Sequence, residues 1–234
     1  MADDLVAWFG YGSLVNRTTI GWDIVEARPA RLSGWRRHWR ARPDMPGFPA
    51  ALLSVTPDPD AACDGLLVVD RAENLPALDR REGRYHRRLV DRAAMPAAGS
   101  LPEACPVYVY EAMTHLPAHR DPPRILRSYL DVVMQGFLRE HGHAGLERFI
   151  AETSRFDIPI HEDRHDPVYP RHVAVPGGAR RRRDARTGAQ DICIGVQYRR
   201  KDLLSKAVHR QTGAERVSGR RRSEQTHERH SRAT

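Results

Sequence analysis

The sequence predicts an α+β fold, with its strands early in the chain and its helices late. Two helical patterns, at 122–140 and 146–153, follow a region of short apolar or β-branched stretches that Gly, Pro and Asp interrupt. A parallel α/β domain would instead alternate the two kinds of element regularly along the chain. The expected strands are Leu5–Phe9, Ala50–Val55, Gly65–Val69, Arg88–Asp91 and Pro106–Glu111.

The first strand is expected to end in a tight glycine-containing loop. Leu5–Phe9 is an apolar run that Gly10 and Gly12 terminate. Glycine lets backbone N–H groups approach a ligand closely, so this loop is a candidate site for a carboxylate or a developing oxyanion. An ordinary turn at a strand end explains the same residues. The Lys of a phosphate-binding loop and the glycine spacing of a dinucleotide site are absent, which argues against nucleotide binding.

Glu82 is the second candidate, because it occupies a position where a core residue is expected. Leu75, Leu78 and Glu82 follow a helical spacing over 74–82, and Gly83 is placed to end the helix. Partial burial would raise the pKa of the Glu82 carboxyl and suit it to exchange protons near neutral pH. The alternative is a solvated glutamate paired with one of the nearby arginines.

The most regular helical pattern, Pro122–Glu140, has one apolar face, and a shorter helix follows at Leu146–Thr153. That face consists of Ile125, Leu126, Tyr129, Val132, Val133 and Phe137. The next segment, 157–170, is rich in Pro, Asp and His and is expected to be irregular. Its side chains lack a helical metal-binding spacing, so we expect a solvated loop and no metal site at His161, Asp163, His165 and Asp166.

The positive charge of the chain is concentrated in its last quarter. The net charge of +8 combines 22 basic and 24 acidic residues in 1–175 with 16 basic and 6 acidic residues in 176–234. We therefore expect one catalytic domain over 1–175, with a helical extension at 122–155, and an Arg-rich tail over 176–234 that is mostly disordered. The β-like stretch Ile192–Tyr198 is an exception within that tail.

The sequence also predicts a cytoplasmic protein. Cys63, Cys105 and Cys193 lie far apart and form no paired motif, which fits a reducing compartment. The first ten residues lack the basic start of a signal peptide, and no apolar run reaches the length needed to cross a bilayer. No membrane partner is expected.

Several motifs together resemble the γ-glutamylcyclotransferase-like superfamily, which includes the avirulence-induced-gene-like proteins. They are the loop Tyr11-Gly12-Ser13-Leu14, the segment from Leu78 to Arg88 with Glu82-Gly83 at its centre, and the strand Val107-Tyr108-Val109-Tyr110. The segment from Arg31 to Arg37 is also similar to one found in bacterial members. The resemblance covers about residues 6–111.

The resemblance implies a compact mixed β-barrel surrounded by helices, with a central cavity for a γ-glutamyl group. It implies that the substrate's α-amino group attacks its own γ-amide carbonyl, which gives 5-oxoproline and releases an amine or amino acid. Glu82 would be the catalytic acid and base, and the substrate-binding residues would be Tyr11, Gly12, Ser13, Leu14 and Tyr110. No cofactor or metal is called for, and the partner is a small γ-glutamyl molecule.

The substrate's leaving group and the oligomeric state stay open at this stage. Leu14 stands where the animal enzymes have Asn, and a segment of the glutathione-specific branch is absent, so glutathione is not implied. The rival hypothesis is a non-catalytic binding or regulatory module whose basic tail contacts nucleic acid or another polyanion. Because the tail has no recognisable fold, we expect only non-specific contact of that kind.

Overall fold

A computed structural model describes residues 4–174 of the chain. A five-stranded sheet forms its centre, with strand order β2-β3-β1-β5-β4. Strand β1 is antiparallel to β3 and parallel to β5, and the pairs β2–β3 and β4–β5 are antiparallel. The strands are β1 (Leu5–Gly10), β2 (Glu26–Ala41), β3 (Ala51–Arg71), β4 (Tyr85–Leu89) and β5 (Val107–Ala112).

Two helices and a short strand pair complete the described part. Helix α1 (Leu75–Arg81) connects β3 to β4, and helix α2 (Arg127–Glu152) packs on the sheet. The short strands β6 (Ile125–Leu126) and β7 (Ile160–His161) pair in parallel at the start of α2. This arrangement confirms the α+β class. No helix within residues 4–174 is long and apolar enough to cross a membrane.

The sheet is strongly curved but does not close into the barrel that the resemblance implied. Strands β2 and β4 are its two edges in the described residues and do not pair with each other. The first half of β3 nevertheless approaches the far side of the sheet, where the Ser54 hydroxyl accepts the Ala112 N–H at 3.0 Å. A side chain therefore replaces the backbone ladder at the point where a barrel would close.

The hairpin of β2 and β3 differs most from the expected elements. Strand β2 was not predicted, and the two strands expected at 50–55 and 65–69 are parts of the single strand β3. The pairing of β2 with β3 shifts register between Ser33 and Trp35, opposite the Pro-Asp segment 57–60. The break predicted from those residues is thus an irregularity within a continuous strand.

Helix α2 buries the apolar face that its sequence predicts. Tyr129, Val132, Val133 and Phe137 lie in α2, and each is less than one tenth exposed. Ile125 and Leu126 are also buried but form β6, so the helix begins at Arg127 and not at Pro122 as predicted. The two helices expected here are joined end to end at Gly142, whose backbone is not helical (φ 65°, ψ −169°). The Phe137 and Phe149 rings stack with their centroids 4.6 Å apart. This ring pair fixes α2 against the core, and burial of each ring is worth about 1.5–3 kcal/mol.

One residue of the irregular segment after α2 is buried rather than solvated. Asp163 is 4% exposed and accepts hydrogen bonds from the Ser128 N–H at 2.7 Å and the Val168 N–H at 3.0 Å. Its carboxylate therefore caps the first turn of α2. Burial raises the pKa of the Asp163 carboxyl, but the hydrogen bonds from the Ser128 hydroxyl and from backbone N–H groups together lower it by more, so the pKa lies below the usual range. The expectation of a solvated loop is wrong for this side chain.

Candidate active site

Strand β1 delivers the residues Tyr11 to Leu14 to one end of the sheet. After Gly10 the chain leaves β1 and forms a short 3₁₀ turn, in which the Val15 N–H bonds the Gly12 carbonyl at 3.1 Å. The Gly12 backbone lies directly beneath the Tyr129 hydroxyl, which would be 2.9 Å from a Cβ at position 12. Only glycine leaves this space open, so the loop presents bare backbone to its surroundings.

Helix α1 delivers Glu82 to the same place. Its N–H bonds the Leu78 carbonyl at 2.9 Å, so Glu82 ends the helix, and its side chain is only 17% exposed. Burial raises the pKa of the Glu82 carboxyl above its ordinary value, while the positive charges of Arg81 and Arg171 lower it. Burial is the larger effect. The carboxyl is therefore placed to hold a proton at higher pH than a surface glutamate would.

Arg81 connects α1 to the loop, and no pattern in the sequence distinguished it from the neighbouring arginines. Its side chain is 6% exposed, and its Nε lies 3.2 Å from a Glu82 oxygen. The same guanidinium donates to the Thr19 carbonyl and to the Ser13 hydroxyl, the latter at 3.5 Å. One buried cation thus fixes both the carboxylate and the glycine loop. Glu82 combines features of both sequence hypotheses, because it is buried and also paired with an arginine.

Four tyrosines surround the space between the loop and Glu82. The Tyr11 hydroxyl donates to the Tyr110 carbonyl, the Tyr85 hydroxyl to the Leu53 carbonyl at 3.0 Å, and the Tyr110 hydroxyl to Asp79. Burial raises the pKa of all four phenols, Tyr129 included, so each is neutral at physiological pH. The Tyr129 hydroxyl faces the Ser13 N–H and the open side of Gly12.

These residues line a cavity of about 360 Å³, counting the space that opens to solvent at its mouth. All six residues singled out from the sequence are in its wall: Tyr11, Gly12, Ser13, Leu14, Glu82 and Tyr110. The structure adds Leu53, Tyr85 and Tyr129 from three other elements, and Phe9 and Gly10 from the end of β1. No group of three or more His, Cys, Asp or Glu side chains within residues 4–174 is placed to hold a metal ion.

The additional cavity residues had weak sequence signals. Tyr129 belongs to the apolar face of α2 and was interpreted as a core residue, which its burial also makes it. A tyrosine among aliphatic residues on a buried face was the available signal, since its hydroxyl needs a polar partner. Tyr85 lies in the segment from Leu78 to Arg88, but nothing in its spacing indicated a position in the cavity wall.

Residues 8–128 of the chain match a family described as "Gamma-glutamyl cyclotransferase, AIG2-like". The chain belongs to this family. The matched residues include the loop, Glu82 and Tyr110, and they end one residue before Tyr129. Helix α2 completes the cavity, but almost all of it lies beyond the residues that match the γ-glutamyl cyclotransferase family.

Several solved structures resemble this member of the γ-glutamyl cyclotransferase family at low identity. A γ-glutamyl cyclotransferase is 16% identical over 68% of this chain and 95% of its own, with a TM-score of 0.46. An uncharacterized human protein is 17% identical over 68% and 95%, with a TM-score of 0.45. A yeast γ-glutamyl cyclotransferase specific to glutathione is 18% identical over 63% and 84%, with a TM-score of 0.39. No curated protein matches the chain.

Proposed function

We propose that this protein cyclises a γ-glutamyl compound, releasing 5-oxoproline and an amine or amino acid. The observation that supports this most strongly is the meeting of a buried carboxylate, Glu82, with the bare backbone of the Tyr11–Leu14 loop in one cavity. Membership of the γ-glutamyl cyclotransferase family supports this class of reaction. The cavity walls supply a proton carrier and oxygen-binding groups, which are the two kinds of group this reaction needs.

Glu82 is proposed to carry the protons. It takes a proton from the substrate's α-ammonium, and the freed amine attacks the γ-carbonyl carbon to form the new C–N bond. The bond to the leaving nitrogen then breaks. Two protons leave the attacking nitrogen, which keeps one in the lactam, and two arrive on the leaving nitrogen, which departs as an ammonium. Glu82 ends unprotonated, so the cycle needs no other reactant.

The loop is proposed to hold the substrate's oxygens. Backbone N–H groups at Gly12 and its neighbours are donors that need no reorganisation when negative charge develops on the γ-carbonyl oxygen. The Tyr129 hydroxyl lies over Gly12 and is a further neutral donor within reach of the same oxygen. Tyr110 contributes to the wall and supports Tyr11 through its carbonyl, since its own hydroxyl is bonded to Asp79.

The shape of the cavity is proposed to contribute as much as its chemical groups. A γ-glutamyl chain is flexible, and cyclisation requires it to curl until the amine meets the carbonyl. Walls that hold the curled form convert the reaction into a well-oriented intramolecular one, for which effective molarities reach about 10⁵ M or more. Rigid aromatic walls, such as those of Tyr11, Tyr85 and Tyr129, suit this task.

We also propose that the reaction takes place in the cytoplasm. Within the described part of the chain, Cys63 and Cys105 are buried free thiols. Burial raises the pKa of the Cys63 thiol to about 11, which keeps it unreactive. Free thiols are the usual state of cysteine in a reducing compartment.

The experiment that tests the proposed function is a panel of γ-glutamyl amino acids and γ-glutamyl amines incubated with the full chain. 5-Oxoproline is measured by mass spectrometry, with the folded state checked by circular dichroism on the same sample. We expect release from at least one compound. A folded protein that releases none from a broad panel would contradict the proposal and favour a non-catalytic binding module.

A further inference from the structure

Arg37 is a charged side chain in the middle of the hydrophobic core. It extends from β2 and is 0% exposed. Its Nε donates to the Thr153 hydroxyl at 2.8 Å, and its Nη1 donates to the Asp64 carbonyl at 2.7 Å and to the Tyr11 carbonyl at 3.3 Å. Desolvation by burial lowers its pKa. A buried guanidinium at this position therefore needs an explanation.

Arg37 lacks the carboxylate partner that a buried arginine normally has. Its hydrogen-bond acceptors within residues 4–174 are carbonyl and hydroxyl oxygens, and the Asp64 carboxylate is bonded to Arg31 and Arg148 instead. The Arg37 Nη2 atom is buried without a hydrogen-bond partner in that part of the chain. Its Cζ lies 4.6 Å from the centre of the Phe149 ring. This cation–π contact offsets only part of the unfavourable free energy of burying the charge.

An apolar residue could occupy the position of Arg37 at no cost in stability. Burial of a charge with an unsatisfied donor is unfavourable, and well-packed apolar residues of similar volume are often as stable or more stable at such positions. Stability alone therefore does not account for an arginine between two phenylalanine rings. A contribution to the site does, because one of its three hydrogen bonds ends on the loop.

We propose that Arg37 is a positioning residue that holds the Tyr11 carbonyl and thereby strengthens the Gly12 N–H as a donor to substrate. Tyr11 C=O and Gly12 N–H belong to the same peptide group. A cation bonded to that carbonyl polarises the whole group, and such polarisation strengthens the next hydrogen bond in a chain by about 10–30% in condensed phases. The surrounding phenylalanines exclude water, so the effect of the charge is not screened.

This inference rests on the proposed function for its kinetic consequence but not for its structural one. If Gly12 N–H stabilises the developing oxyanion, weakening it lowers kcat and leaves KM nearly unchanged. The state of the Gly12 peptide itself is observable without any substrate, because the resonance of its amide proton moves upfield when the polarisation is lost. The two readouts separate a failure of this inference from a failure of the proposed function.

The test compares Arg37→Met and Arg37→Lys with wild type. We expect Arg37→Met to melt at or above the wild-type temperature, to lose about 10-fold in kcat with KM within about 3-fold, and to show the upfield shift at Gly12. Arg37→Lys keeps a cation and should recover part of both effects. The matched control is Arg36→Met on the same strand, since Arg36 is exposed, pairs with Asp58 and should change neither readout.

Three results would overturn the inference. One is wild-type kcat together with an unmoved Gly12 amide resonance in Arg37→Met. Another is a Lys variant no better than the Met variant in either readout. The third is failure of both variants to fold, which would assign Arg37 to folding alone. If wild type itself releases no 5-oxoproline, the proposed function fails, and the Gly12 resonance alone decides the role of Arg37.

Discussion

Glu82 is under two opposing influences, and their balance predicts how the rate depends on pH. Burial raises the pKa of its carboxyl above the ordinary value of 4.5, and Arg81 and Arg171 lower it by less. As a base, Glu82 has to be ionised, so the rate rises with pH through the raised pKa. We expect the acid limb of kcat/KM to lie above pH 4.5. Initial rates of 5-oxoproline release across pH test this, and a limb at or below that value would contradict it.

The raised pKa of Glu82 also predicts that the stability of the fold decreases with pH, whereas the rate increases. Because the folded protein holds the Glu82 proton more tightly than the unfolded chain, stability from protonation is present at low pH and is lost as pH rises through the folded pKa. Glu82→Gln mimics the protonated side chain. It should melt at or above wild type at pH 7, and the difference should vanish in acid. The exposed Glu103→Gln is the control, and a Glu82→Gln variant that melts lower at pH 7 would refute this.

Gly12 is a residue at which the loop leaves little space for a side chain. A Cβ there would lie 2.9 Å from the Tyr129 hydroxyl, so Gly12→Val has to displace the tyrosine or fill the cavity. We expect KM to rise or turnover to be lost, with a far-ultraviolet spectrum like that of wild type. Gly21→Val is the matched control, since a Cβ at Gly21 meets no atom within 4 Å. Wild-type kinetics from Gly12→Val would remove the loop from the site.

Helix α2 supports the loop through close contact with its backbone. A Cβ at Gly136 would lie 2.6 Å from the Asn16 nitrogen and 2.9 Å from the Val15 carbonyl carbon, and neither atom can rotate away. Gly136→Ala should therefore cost about 1–3 kcal/mol of stability and raise KM by displacing the loop. Chemical denaturation and steady-state kinetics measure the two effects. Gly99→Ala, in open space, is the control, and a neutral Gly136→Ala would show that α2 does not support the loop.

The β2–β3 hairpin shows where sequence patterns failed for the fold. Pro57 and Pro59 predicted a break, yet β3 runs through both. Proline is tolerated there because β1 pairs only with the later half of β3, and the pairing with β2 is interrupted between Pro57 and Ala62. Strand β2 was not predicted because its many arginines are typical of a polar, exposed segment. Several of them are instead paired or buried, as Arg31 and Arg37 are.

The grouping of the candidate site residues around one cavity was more predictable than the sheet, for a physical reason. A glycine loop and a carboxylate at a core-facing helical position are local features, and their chemistry follows from residue type. Leu53 and Tyr129 reach the cavity only through tertiary packing, from the first half of β3 and from α2. No spacing pattern within one segment of the sequence predicts that these two residues line the same cavity. The region of the chain that matches the family includes the loop and Glu82 but ends before Tyr129.

For the whole molecule, the charge distribution predicts that the tail and the site are separable. The residues up to 175 are nearly neutral, and the excess of arginine lies beyond them, outside the described residues. A chain ending at Pro176 should melt and turn over like the full chain. It should also lose any retention on heparin at low salt, since arginine clusters carry that affinity. An insoluble or inactive truncated chain would show that the tail belongs to the domain.

The proposal that Glu82 carries protons in a γ-glutamyl cyclisation is tested by comparing wild type with Glu82→Gln. Thermal melting and 5-oxoproline release are measured on the same preparations of wild type and Glu82→Gln, with a γ-glutamyl compound that wild type turns over. Glutamine preserves the shape and cannot exchange the proton. We predict a variant that melts no lower than wild type, still binds the compound, and has lost at least about 10²-fold in rate. A folded Glu82→Gln that keeps wild-type activity would contradict the claim.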